Sequence, residues 1–466
     1  MAVGLLLIGG FVRPAKAQNG INPLNIFQNY FVTGDYVVAG WSAGAPDGSG
    51  YAPGTISVPD TLQPAQNGVP ATVPVGADIV AAYLYWATVE GTQSSFAGQT
   101  GFFNGYPITG AVLGNPNAPT SWSAGGCAGS SQGGKTMRTY RADVHPYLPL
   151  DRNPSSVTFG ATIANGKIPV RLADSGSNGN GVPIALGATL VVIYRVLSPA
   201  VPLNAIVLYD GVYAPSNQGL TTSQNIAGFY QPAAATSTTV AKITHIVANG
   251  QPNKSQQVYL NNTSQPLPSL YGSLPPFPGI YGSWDNPTWV LSNFGYVKTT
   301  DTSETTSVIP SASSKGCVSW GAMILSTPVQ DSDGDGLLDA WENGQGYTDA
   351  VSGQWVPLPG ANANKKDLFV ELDWLDALDG SNGPLHSHLP KEAALDEVGS
   401  VLSEPGTGIN VHFDLGPNVY QSDPYVISGG TGETKSPRAR WCAPMEQHSA
   451  PIPASRQSDG REVSNP

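Results

Sequence analysis

Across roughly 310 residues, from Gln18 to about Thr327, no stretch sustains the 3.6-residue apolar spacing that an amphipathic helix needs. Short runs rich in Val, Ile, Tyr and Trp alternate instead with clusters of Gly, Pro, Asn and Ser. The clearest runs are 36–39, 79–89, 190–194, 205–208, 240–247 and 322–325. Strands this short and this closely spaced, with no helix between them, leave no room for βαβ units and predict antiparallel sandwiches or jelly rolls. The 55 glycines and 41 prolines supply the turns, and a 40% apolar content supplies a core. One sandwich does not fill this length, so the sequence divides near Ser198-Pro199 into a sandwich over 18–198 and a second over 199–328. The proline-rich 266–278 segment reads as a surface loop, and Trp284 and Trp289 read as core rather than as a sugar-stacking platform.

The pattern changes after Gln330. An acidic loop and a short helix (Leu337–Asn343) occupy 329–350, and a small α/β module follows over 351–425. In that module a strand over 367–374 leads to a loop with His386 and His388. A helix over 390–402 and a strand over 409–413 follow, with Pro390 suited to the helix's first turn. Residues 426–466 read as a disordered tail; from Thr434 the text is basic and aperiodic, as a disordered segment or a stretch in another reading frame would be. The expected fold class is therefore mainly β: two sandwich or jelly-roll-like domains, a calcium loop and a β-α-β module.

Charge is sparse, at 12% of residues, and the net value is −12. A nucleic-acid or anionic-membrane partner needs a basic face, which this balance does not offer. The acidity is concentrated: 331–379 holds eleven carboxylates and only Lys365 and Lys366 as cations. Within it, Asp331, Asp333 and Asp335 take positions 1, 3 and 5 of a twelve-residue Ca2+ loop. Gly336 makes the turn, Leu337 offers its carbonyl, Asp339 stands at position 9 and Glu342 closes the shell. Carboxylates at this spacing repel one another unless a cation lies among them. The entering segment is strand-like, so the loop is a lone strand-loop-helix, expected to bind Ca2+ as a structural ion.

Several other patterns lack the context their chemistry needs. Gly40-Trp41-Ser42-Ala43-Gly44 fits the nucleophile-elbow pattern, but 45–48 is a turn sequence where a helix must start. The segment 129–136 fits the phosphate-loop pattern, but no strand precedes it and no helix follows, so no nucleotide is expected. His386, His388 and His412, with Asp373 and Asp414, do not have the spacing of a zinc site, and no H-E-x-x-H occurs. Residues 2–12 form an apolar run too short to span a membrane, and Ala15-Lys16-Ala17 follows in the manner of a cleavage site. The expectation is a signal peptide over 1–17, a mature start near Gln18 and a secreted or surface protein. No later segment is long enough for a membrane helix. Cys127 and Cys317 are candidates to pair, leaving Cys442 over.

The order of segments resembles a group of secreted bacterial multidomain proteins with an N-terminal β-rich region, one D-x-D-x-D-G loop and the start of a zincin-like peptidase domain. The residues that carry it are 81–86, 187–194, 208–211, 284–287 and 319–321, the calcium loop, 366–374, His386-Ser387-His388 and 408–412. The resemblance implies peptidase ancestry, but the zinc-binding helix has no residues here to receive its ligands. The expected role is non-enzymatic: a Ca2+-rigidified binding, structural or adhesive protein with an extracellular carbohydrate or protein partner. The alternative is an inactive fragment of a secreted metallopeptidase.

Overall fold

A computed structural model describes residues 21–63, 71–91, 96–114, 120–121, 135–175, 181–198, 200–215, 219–234, 241–261, 265–291, 296–311, 315–377, 386–428 and 434–435. The expected signal peptide and most of the expected tail lie outside them. So do Cys127, Cys442 and residues 129–134 of the phosphate-loop pattern. Cys317 is fully buried and disulfide-bonded.

The chain is mainly β, in several antiparallel sheets with few helices, as the periodicity predicts. In the largest sheet the strand order is Tyr106–Thr109, Thr100–Phe103, Gly166–Ala173, Tyr51–Val58, Gly34–Ala43, Ile184–Arg195, Asp78–Gly91, Lys135–Asp143 and Ala111–Val112; Thr120–Ser121 also pairs with Lys135–Asp143. A second sheet runs Asn25–Val32, Asn204–Tyr213, Ser319–Pro328, Lys242–Ala248 and Trp284–Asp285, with Thr288–Val290 pairing on Lys242–Ala248. The third is Thr222–Ala227, Ser303–Pro310 and Gln256–Leu260.

Strand periodicity explains how these sheets stack. Along 78–91, Ala82, Leu84 and Trp86 face one core, and Ala81, Tyr85, Ala87 and Val89 face another. The first core also takes Phe103, Ile168, Val170 and Leu172 from the far strands of the same sheet, which therefore folds over on itself. The second core is shared: Tyr36, Val38, Val191 and Ile193 of the large sheet meet Ile206, Leu208, Ile246, Ala322 and Ile324 of the second sheet. The alternate residues Val207, Ile243, Met323 and Leu325 point into a third core with Val258, Val308 and Trp341. Strands buried on both faces read as continuous apolar runs, and 190–193 does so. The strand Asn25–Val32 pairs with Asn204–Tyr213, so this strand belongs to the second sheet before the chain crosses into the first at Gly34.

Gly40 shows why the nucleophile-elbow pattern arises. It lies within the Gly34–Ala43 strand, where a Cβ would stand 2.2 Å from the Tyr281 ring, and no helix follows. The glycine is a packing requirement. Lys135 and Thr136 likewise begin a strand, not the helix a phosphate loop feeds. Trp284 and Trp289 are buried, as expected of core residues.

His245 sits in the third core's aromatic floor, near Phe277, Trp289 and Trp320, with Thr306 Oγ1 3.1 Å from its Nε2. Burial pushes its imidazole down to about 3. An unfolded histidine takes up a proton below about pH 6.5, whereas this folded one stays neutral. Its contribution to stability is therefore full above that pH and is lost as the pH falls toward 3. A His245→Phe variant should show a shallower loss of stability between pH 7 and 4.5 than the parent, read by urea unfolding at each pH.

The C-terminal module is a parallel β-α-β unit. Asp367–Glu371 pairs in parallel with Asn410–Asp414, joined through helix Glu392–Ser403. Its own core is Trp374, Leu395, Val411, Phe413 and Leu415. Among the described residues no helix is long and apolar enough to cross a membrane.

Candidate metal centre

The acidic loop leaves the end of the Ser319–Pro328 strand and finishes in a five-residue helix, Asp339–Asn343. Gly336 turns the chain at φ +98°, a conformation glycine adopts without strain. The three aspartates fold back on the loop's own amides. Asp331 Oδ1 accepts from Gly334 N at 2.9 Å, Asp331 Oδ2 from Gly336 N at 3.1 Å, and Asp335 Oδ1 from Leu337 N at 2.7 Å. Oxygens of Asp331, Asp333 and Asp335 lie within 4.8 Å of one another, a span that one cation can bridge.

The short helix is pinned by Trp341. Its indole stacks on Tyr347 at 4.0 Å and meets Tyr230 and Phe31 edge-on, which locks the helix to the third core. The neighbouring Glu342 is thereby held inside: it is 0% exposed, and neither carboxylate oxygen has a hydrogen-bond donor. Asp333 Oδ2 is likewise buried without a donor. Burial, reinforced by the charges of Asp335 and Asp333, pushes Glu342 up to about 8. Burial and the Asp335 and Asp331 charges push Asp333 up to about 6, and Asp331 and Asp335 are raised as well, burial again first.

Two of the expected site residues stand differently from the other four. Asp339 turns to the loop's start, where Oδ1 accepts from Ser332 N at 2.7 Å and Oδ2 from Ser332 Oγ at 2.6 Å. It belongs to neither carboxylate group. Leu337 lies between Asp335 and the helix, bonded through its N–H. One residue escaped the sequence reading. Asp367, the first residue of the module's strand, has a carboxylate oxygen within 4.8 Å of both Asp335 and Glu342. Its only sequence signal is membership of the acidic 331–379 stretch. The strand is docked on the loop: Asp367 N donates to Asp335 Oδ2 at 2.7 Å and Lys366 Nζ to the Gly334 carbonyl at 3.0 Å.

The histidines do not join this cluster as ligands. His386, on the exposed short strand His386–Ser387, and the exposed His388 face each other, Nε2 to Nε2 at 3.1 Å. His412 packs on Phe369 and meets Asp367 Oδ1 at 2.5 Å. No metal-capable group among the described residues contains a histidine.

No protein-family model matches the chain, and neither does any curated protein. Among solved structures, the plant receptor-like kinase ANX1 is similar at 8% identity, over 65% of this chain and 98% of that one, with a TM-score of 0.19. The ANX1 ectodomain from Arabidopsis thaliana gives 9%, 65% and 90%, with a TM-score of 0.17. The mavirus major capsid protein gives 9%, 69% and 89%, at 0.15. Similarity at this level carries no argument about fold or function.

Proposed function

We propose that this is a secreted or cell-surface β-sandwich protein that binds Ca2+ at the 331–342 loop. The ion fixes the small α/β module against the sheets, in a structural, binding or adhesive role toward an extracellular carbohydrate or protein. The observation that carries the reading is Glu342, a buried carboxylate with no donor to either oxygen, close to two further carboxylates. A buried carboxyl keeps its charge only when paired or metal-bound and otherwise takes up a proton at a cost in stability, and among the described residues no basic side chain forms an ion pair with Glu342. The donors are oxygen throughout, which suits a hard cation, and a flexible twelve-residue loop suits Ca2+ better than the strict octahedron of Mg2+.

Lone extracellular loops bind with a Kd on the order of 10⁻⁴–10⁻³ M. Calorimetric titration of the chain with CaCl2 should give an affinity in that range, weakened at least about tenfold by Asp333→Ala. A parent chain that takes up no Ca2+ at millimolar concentration would end this reading.

A further inference from the structure

We infer that Asp367 of the α/β module is a ligand of the ion held by the acidic loop, in the place that the loop's own ninth residue leaves open. The inference rests on the Ca2+ reading above and goes beyond it in naming a residue outside the loop. Ca2+ takes six to eight oxygens. In a loop of this spacing position 9 contributes to the shell, directly or through a water. Here Asp339 stands in neither carboxylate group and turns instead to Ser332, at the loop's start. Asp367 supplies what Asp339 does not: it is 7% exposed, and one of its oxygens lies within 4.8 Å of both Asp335 and Glu342. Glu342 gives the independent sign of an ion on that side, since its two buried oxygens lack donors and, among the described residues, form no ion pair.

Asp367 is also oriented as metal-ligating carboxylates are. Asn362 N donates to its Oδ2 at 2.7 Å, and Asn410 Nδ2 donates to Oδ1 at 2.7 Å with His412 Nε2 beside it. Such outer partners fix a ligand's direction, and their loss costs about 10–100-fold in metal affinity. Asn410 is thus a positioning residue that acts through Asp367. The ion then holds three pieces of chain at once: the loop after the second sheet, the short helix and the first strand of the module. Docking the module and binding the ion become one event.

Calorimetric titration of the full chain with CaCl2 tests this. Asp367→Asn is expected to weaken Ca2+ binding at least about tenfold and Asn410→Ala about tenfold, while Asp339→Asn stays within about threefold of the parent. Terbium(III) luminescence excited through the adjacent Trp341 should report the same ranking, and far-UV circular dichroism checks that each variant is folded. If Asp367→Asn fails to fold, Asn410→Ala carries the test. The inference is overturned if the parent binds Ca2+ and the Asp367 and Asn410 variants bind as tightly, or if Asp339→Asn is the damaging change. A parent that binds neither Ca2+ nor terbium overturns the Ca2+ reading itself, a different result from parental affinity in the variants.

Discussion

Trp284→Ala is expected to destabilise the chain by about 3–5 kcal/mol, the range for truncating a fully buried large aromatic. Trp284 has 0% exposure and lies in the core shared by the two large sheets. Its backbone pairs with Ala248 in the second sheet, and its indole Nε1 donates to Thr189 Oγ1 in the first at 2.8 Å. Truncation opens a cavity between the sheets and leaves a buried hydroxyl without its partner, and the two costs add. Val157→Ala, at a side chain 95% exposed, should stay within about 0.5 kcal/mol of the parent. Guanidinium unfolding followed by fluorescence and by circular dichroism reads both. Since each sheet buries a face in the same core, one coincident transition is expected for the parent. A Trp284→Ala midpoint matching that of Val157→Ala would contradict the shared core.

That core marks where the sequence stops being readable. The strands at 36–39, 79–89, 190–194, 205–208 and 322–325 are legible because β-branched and aromatic runs between turn residues say strand whatever their partners are. Partners are another matter. Asn25–Val32 pairs with residues nearly 180 positions away, and nothing local in its sequence distinguishes a second-sheet strand from a first-sheet one. A division drawn by length alone places it with its chain neighbours. The module was legible for the opposite reason: its two parallel strands and the helix between them are close in sequence, although the helix starts at Glu392 and leaves Pro390, expected in its first turn, just before the Lys391 cap.

The acidic cluster divides in the same way. The closeness of Asp331, Asp333 and Asp335, and of Glu342 to Asp335, is what the loop's spacing leads one to expect. Spacing also nominates Asp339, but a side chain at position 9 has a competing partner in Ser332, and hydrogen bonds to a serine seven residues back leave no periodic trace. Asp367 lies beyond the loop's reach in sequence and enters through the docking of the module's strand. Gly40 is a converse case: a glycine required by the Tyr281 ring generates, with Ser42 and Gly44, a catalytic-looking string.

Removing Ca2+ should have the other large effect, confined to the junction. An ion that binds only the folded site stabilises it by RT ln(1 + [L]/Kd), about 2.7 kcal/mol at a hundredfold excess over Kd. At a Kd near 10⁻⁴ M that corresponds to roughly 10 mM Ca2+. With chelator, the carboxyls of Asp331, Asp333, Asp335, Glu342 and Asp367 crowd together with no ion among them, and cleavage by a limiting protease within 331–347 should rise several-fold while the sheets stay intact. Glu342→Gln should then reverse its sign between the two conditions. In Ca2+ it removes a ligand and exposes the junction to cleavage. In chelator it removes a buried carboxyl that can stay folded only by taking up a proton, at a cost in stability, so the junction should resist the protease better than the parent's does. Cleavage that is equal with and without Ca2+ in the parent would refute the ion's role at the junction. A variant that is cut faster than the parent in both conditions would instead assign Glu342 a packing role in the helix, since loss of packing does not depend on the ion.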